Sequence, residues 1–256
     1  MIRLVRCAGI AVVWAAGLAG GQAAMGAVTN ADFIKQAYQD LLGRAPLGTE
    51  LTTYESYLTT HTRQQTALSI DTSTEYYGIV VDDLYSQLLH RADSAGERNT
   101  FVTFITSGAT IEQTQAQLAG SNEYFSARSG STNSGFITAV ISDLLGRSAT
   151  PTELSLFGSQ LTSGSTRTDI ATEILASNEY RSDLVSGYYM EFLHRTPSTP
   201  DTNLFVSQLQ LGTRDEVVIS EIIGSDEYFN NIAVPEPATL SLAVVGLVAA
   251  SARRRI

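Results

Sequence analysis

The chain has 256 residues, 16 basic and 26 acidic, for a net charge of −10. Between Val28 and Ala252 the imbalance deepens to 11 basic against 26 acidic residues, a net charge of −15, with Lys35 the only lysine. Such a surface repels phosphate backbones and argues against nucleic-acid binding.

Residues 1–27 read as a signal peptide. Arg3 and Arg6 make a basic start, Ile10 to Leu18 an apolar stretch, and small residues follow from Gly20 to Ala27. Gly21-Gln22-Ala23 and Ala24-Met25-Gly26 both suit cleavage, and the pattern does not choose between them. Cys7 precedes the apolar stretch and leaves with the leader, so the mature chain has no disulfide, thiolate nucleophile or cysteine-bound metal.

The next two hundred residues repeat themselves four times. Asp40-Leu-Leu-Gly-Arg44, Gln87-Leu-Leu-His-Arg91, Asp143-Leu-Leu-Gly-Arg147 and Glu191-Phe-Leu-His-Arg195 form one anchor. Ser73-Thr-Glu75-Tyr, Ser121-Asn-Glu123-Tyr, Ser177-Asn-Glu179-Tyr and Ser225-Asp-Glu227-Tyr form the other. Arginine to serine is 29, 30, 30 and 30 residues, while successive arginines lie 47, 56 and 48 apart. The long gap holds a Ser/Gly-rich stretch, residues 126–135, which reads as a linker. The expected organisation is therefore two tandem helical domains, residues 28–125 and 136–232, each a pair of repeats of about 48 residues.

Each repeat predicts three helices. In the first, apolar pairs step by four, as in Phe33/Ile34, Ala37/Tyr38 and Leu41/Leu42. The step recurs at Val80/Val81 to Leu88/Leu89, Phe136/Ile137 to Leu144/Leu145 and Leu184/Val185 to Phe192/Leu193, giving one broad buried stripe. Gly43 and Gly146 sit where a helix ends in the left-handed region. The second helix starts near an acid six residues past each arginine: Glu50, Glu97, Glu153 and Asp201. The third opens on a capping box at Thr62, Thr110 and Thr213, with a weaker version at Thr166, and runs to the Ser-x-Glu-Tyr anchor. Nothing alternates with a strand's period of two, so the expected fold is all-α: four three-helix repeats between a signal peptide and a C-terminal apolar helix.

The tail, residues 233–256, has three parts. Pro235-Glu236-Pro237 blocks any helix from extending back through it, residues 238–252 are apolar, and Arg253, Arg254 and Arg255 close it. Fifteen helical residues reach about 22 Å against a hydrocarbon core of about 30 Å, a short membrane contact with the arginines on the cytoplasmic side.

Two family resemblances rest on these residues. The tail resembles the PEP-CTERM sorting signal of bacterial surface proteins. That implies passage through the Sec export machinery and recognition by a membrane-embedded exosortase, with the tail either removed or kept as an anchor. Residues 32–230 resemble the "domain of unknown function 4214" family, found in secreted and surface-associated bacterial proteins. This chain departs from that pattern at His90 and His194, where Gly is usual, and in its first repeat, which is one residue short. A more distant likeness to phycobilisome linker domains implies scaffolding.

No residue carries an evident catalytic signature. Arg44, Arg91, Arg147 and Arg195, and Glu75, Glu123, Glu179 and Glu227, recur in every copy as scaffold residues do. Each arginine is expected to pair with an acid, either the one six residues on or the repeat's terminal Glu. The adjacent acids Asp82-Asp83, Asp215-Glu216 and Asp226-Glu227 read as solvated faces or calcium-tolerant patches. His90 and His194 fit helix C-termini without a metal, and neither a metal nor a cofactor is expected. No nucleophile elbow, His-Glu-x-x-His motif or phosphate loop is present. The expected function is a non-enzymatic interaction or structural protein of a Gram-negative-type bacterium. It would be sorted to the outer surface or extracellular matrix, with surface or matrix proteins or exopolysaccharide as partners. The alternatives are a matrix polysaccharide-acting enzyme with an unrecognised carboxylate site, and a carbohydrate-binding module.

Overall fold

The computed structural model describes residues 27–232. The leader up to residue 26 and the sorting tail, with Pro235, Glu236, Pro237, residues 238–252 and Arg253, Arg254 and Arg255, lie outside the described residues. Among the described residues are fourteen α-helices, one π-helical segment and no strand, so the fold is all-α. No described helix is long and apolar enough to cross a membrane.

The chain opens with α1 (Asn30–Leu42), α2 (Glu50–Tyr57) and α3 (Arg63–Asp71). Next come α4 (Thr74–Leu84), which runs on into the π segment Tyr85–Leu89, then α5 (Ala95–Thr106) and α6 (Ile111–Gly120). After the short α7 (Asn122–Arg128) come α8 (Asn133–Leu145), α9 (Pro151–Thr162) and α10 (Arg167–Leu175). The last group is α11 (Asn178–Phe192), α12 (Thr199–Gln210), α13 (Asp215–Ile223) and α14 (Asp226–Asn230).

Every apolar pair expected on the first-helix stripe is buried, from Phe33/Ile34 in α1 to Phe192/Leu193 at the end of α11. Each such side chain contributes roughly 1.5–3 kcal/mol on burial, which makes this stripe the main driving force of the fold. The second helices cover the stripe from outside, so Leu51, Tyr54, Leu58, Leu154 and Leu161 are only half-buried.

Helix ends correct the expected boundaries in three places. Ser73, Ser121, Ser177 and Ser225 do not close a third helix; each caps the next one. Their hydroxyls accept from the N–H of Tyr76, Tyr124, Tyr180 and Tyr228 at 3.1–3.2 Å. A serine cap followed by an acid in the first turn satisfies free N–H groups and the helix dipole together. Thr166 forms a full capping box with Asp169. Thr213 forms none: Arg214 occupies the cap position of α13 without a side-chain bond, because the Glu216 carboxylate turns to the Arg214 guanidinium at 2.9 Å.

The two halves of the chain pack face to face about a pseudo-twofold axis. α3 lies along α13, and α6 lies along α10. In the first contact Arg63 stacks on Phe229 (4.4 Å) and donates to Gly224 O; in the second Arg167 stacks on Phe125 (4.3 Å) and donates to Gly120 O. Tyr228 donates to Asp40 at 2.6 Å, and Tyr124 donates to Asp143 at 2.8 Å. Phe33 meets Tyr228 edge-on at 6.1 Å, and Phe136 meets Tyr124 edge-on at 6.2 Å. Glycine permits both crossings: a Cβ on Gly224 would come within 2.6 Å of the Gln64 backbone, and one on Gly120 within 2.7 Å of Thr168 N. Between the halves, Gly130 and Ser131 turn the chain with φ of 59° and 57°.

Candidate functional site

The recurring arginines build one clamp four times. Each sits just past the end of a first helix and reaches two others. Its Nε donates to the glutamate of the next Ser-x-Glu-Tyr at 2.5 Å, in Arg44–Glu75, Arg91–Glu123, Arg147–Glu179 and Arg195–Glu227. The second nitrogen of that fork reaches the same carboxylate at 2.7–2.8 Å, so each pair is bidentate. The same guanidinium also binds the acid six residues on: Glu50 at 2.7 Å, Glu97 at 2.6 Å and Glu153 at 2.7 Å. Asp201, one methylene shorter, stands off at 3.5 Å. The expected either-or is therefore both at once: one cation ties three helix ends. Three of the four arginines also lie over a tyrosine, Tyr38, Tyr85 or Tyr189, at 4.8–5.2 Å.

The clamps perturb their acids as ion pairs do. Hydrogen bonds from the arginine hold Glu50, Glu97 and Glu153 down at about 2, and Glu75, Glu123, Glu179 and Glu227 are lowered by the same cause. All seven of these glutamates are held below the usual carboxylate range and so stay ionised near neutral pH. The chemistry of the clamp is cohesion.

His90 and His194 end their helices in the left-handed region, φ 54° and 55°, where Gly43 and Gly146 stand in the other two copies. Both are exposed. His61 stacks flat on Tyr57 at 3.6 Å. Among the described residues no group of three or more His, Cys, Asp or Glu is disposed to hold a metal ion.

A second polar constellation was not legible as such. Asp215 and Glu216, expected on a solvated face, are buried at 3% and 1% exposure, and Asp71 is fully buried. The reason is the crossing of α13 on α3, which covers this end of both helices. Asp215 lies against a small, partly open pocket of about 40 Å³. Its lining comes in twofold-related pairs, Tyr76 with Tyr180, Leu84 with Tyr188 and Ile111 with Asp215, so the cavity sits on the pseudo-axis. The backbone there is symmetric but the chemistry is not. The π segment, a common local adjustment beside functional positions, follows directly on Leu84.

Asp215 Oδ2 accepts from the Tyr188 hydroxyl at 2.9 Å, while Oδ1 meets only the carboxyl of Glu112. Burial and the nearby Glu112 carboxyl push Asp215 far above the carboxylate range. Neither oxygen of Asp71 has a donor from another residue, and burial, reinforced by Glu216, pushes it up to about 9. A cavity of this size admits a water and not a sugar ring; ligand sites run to about 300–1,000 Å³. A shallower groove of about 210 Å³ nearby is lined in part by Glu112, Arg181 and Arg214.

The helices and the guanidinium–carboxylate ties repeated in each unit define an all-α repeat protein. The chain belongs to the family described as Domain of unknown function (DUF4214), which matches residues 19–80 and 115–184, just over half of it. Residues 233–255 match the PEP-CTERM protein-sorting motif, the substrate signal of exosortase, which marks an exported protein. No curated protein and no solved structure matches the chain.

Proposed function

We propose that this chain is a non-enzymatic scaffold of the cell surface or extracellular matrix, four helical units closed into one body that associates with matrix proteins or exopolysaccharide. The observation that carries this reading is the fourfold clamp. A catalytic group is needed once, whereas this constellation is built again in every unit and spends its charges on holding helix ends. The sorting motif supports delivery to the outside, and the acidic body suits a well-hydrated exported protein. A carbohydrate-binding module would favour stacking platforms of exposed aromatics, yet every described tyrosine and phenylalanine is buried or half-buried.

The test is direct. The full chain, incubated with a panel of bacterial exopolysaccharides and with extracted matrix, is expected to co-sediment with matrix material and to release no reducing ends. Hydrolytic turnover that disappears in Asp215→Asn or Asp83→Asn would replace the scaffold with a matrix enzyme. Intact-mass measurement of the surface-extracted protein tests processing: a chain ending near Pro237 supports removal of the tail, and one ending at Ile256 supports a plain anchor.

A further inference from the structure

We propose that the contact between α3 and α13, which closes the first part of the chain on the last, is a proton-loaded clasp. It holds while Asp71 and Asp215 are neutral and loosens as they lose their protons. Both side chains are buried; neither Asp71 oxygen meets a donor from another residue, and Asp215 Oδ1 meets only the carboxyl of Glu112. An ionised carboxylate in that position carries a desolvation penalty that a neutral carboxyl largely escapes.

The surroundings offer little relief. From α13 Asp71 faces Glu216, and from α4 Tyr77 lies beside both Glu216 and Arg214. Arg214 is the cation of the cluster, and it is committed to Glu216 at 2.9 Å and to Gly108 O at 3.2 Å. In α1, Asp32 is taken by Thr29 and Asp40 by Tyr228, while Lys35 is exposed. In α2, Glu50 belongs to the Arg44 clamp and Glu55 is half-buried. In α4, Glu75 belongs to the same clamp, Asp82 pairs with Arg98, and Asp83 lines the axial cavity. Around Asp215, α6 brings Glu112 and Gln115, α11 brings Tyr180 and Tyr188, and α4 brings Tyr76. α11 also brings Arg181 to the groove shared by Glu112 and Arg214, and neither arginine hydrogen-bonds to Asp71 or Asp215.

The twin contact supplies the contrast. Where α10 lies along α6, Leu175 occupies the position of Asp71 and Ile111 that of Asp215. The α3–α13 clasp carries the two buried aspartates; its twin has apolar residues at both positions and keeps Glu112, the counterpart of Glu216, at the edge that faces Asp215. The sign follows from linkage. Each acid is raised in the closed state and ordinary in the open one, so opening releases a proton. The opening constant therefore grows by up to about tenfold per pH unit per group, from near pH 4 upward until the closed-state carboxyl itself titrates.

Hydrogen exchange of the full chain at pH 5, 6.5 and 8, corrected for the intrinsic rate, reads both clasps at once. Protection in α3 and α13 is expected to fall as pH rises while α10, which carries Leu175 in place of Asp71, stays flat. Asp71→Asn, which keeps the shape, is expected to remove about one proton from that dependence, roughly tenfold per pH unit. Asp71→Leu, which copies the twin, is expected to do the same. The proposal fails if α3 and α13 follow α10 across the range, or if Asp71→Asn retains the wild-type slope. The wild-type comparison decides the matter even if neither variant folds.

Discussion

A single methylene separates the fourth clamp from the other three. Asp201 leaves 3.5 Å to Arg195 where glutamates close to 2.6–2.7 Å. Asp201→Glu is expected to complete the clamp and stabilise the protein by about 0.5 kcal/mol, the scale of a well-placed surface pair, read as a higher urea midpoint. His90 offers the opposite lesson. A Cβ in the left-handed region costs about 1–2 kcal/mol that glycine avoids, so His90→Gly is expected to raise stability by about 1 kcal/mol in thermal unfolding. Both residues were legible in the sequence, because four aligned copies expose any departure. The buried acids were not. Asp71 stands in the polar run Asp71-Thr-Ser-Thr-Glu75 with nothing periodic to mark it, and Asp215-Glu216 looks like any solvated acid pair. Their burial comes from a helix more than 140 residues away in the chain, a distance over which a local pattern carries no information.

At the scale of elements, the first helices were readable because a stripe of pairs stepping by four leaves no other register. The second helices carry capping boxes of their own, Ser94 with Glu97, Thr150 with Glu153 and Ser198 with Asp201, each cap three residues ahead of its acid. The π segment leaves no such mark. The partners of the third helices were beyond reach as well: α3, α6, α10 and α13 present similar apolar faces, and adjacency along the chain suggests the wrong neighbours. What selects the pairing is close approach at glycine. Gly120→Ala would force a Cβ into the Thr168 backbone and is expected to cost about 1–3 kcal/mol, with exchange rising in α6 and α10 first.

For the whole molecule, two sets of carboxyl groups pull stability in opposite directions with pH. The clamp glutamates, lowered to about 2, contribute stability that is present above the unfolded value near 4 and lost as pH falls toward 2. Asp71, raised to about 9, contributes stability that is present below about pH 4 and lost as pH rises toward 9. Thermal unfolding across pH is therefore expected to peak on the acid side of neutrality, at about pH 4–5, rather than between pH 6 and 8. A flat plateau from pH 5 to 9 would contradict the burial of Asp71 as an unpaired acid.

The meeting of α1 with α14, where Phe33 packs on Tyr228 and Phe229, also sets an order of events. Export from the amino end would deliver α1 and α3 long before α13 and α14, the surfaces that cover them. Bringing such distant segments together carries a loop-closure entropy that nearby contacts do not, so this junction is the last to form. It can form only once Ile232 has emerged, and the sorting motif begins at the next residue. For a chain exported amino end first, closure of the body would coincide with arrival of the sorting motif, and any shorter exported length would leave α1 and α3 without the surfaces that cover them.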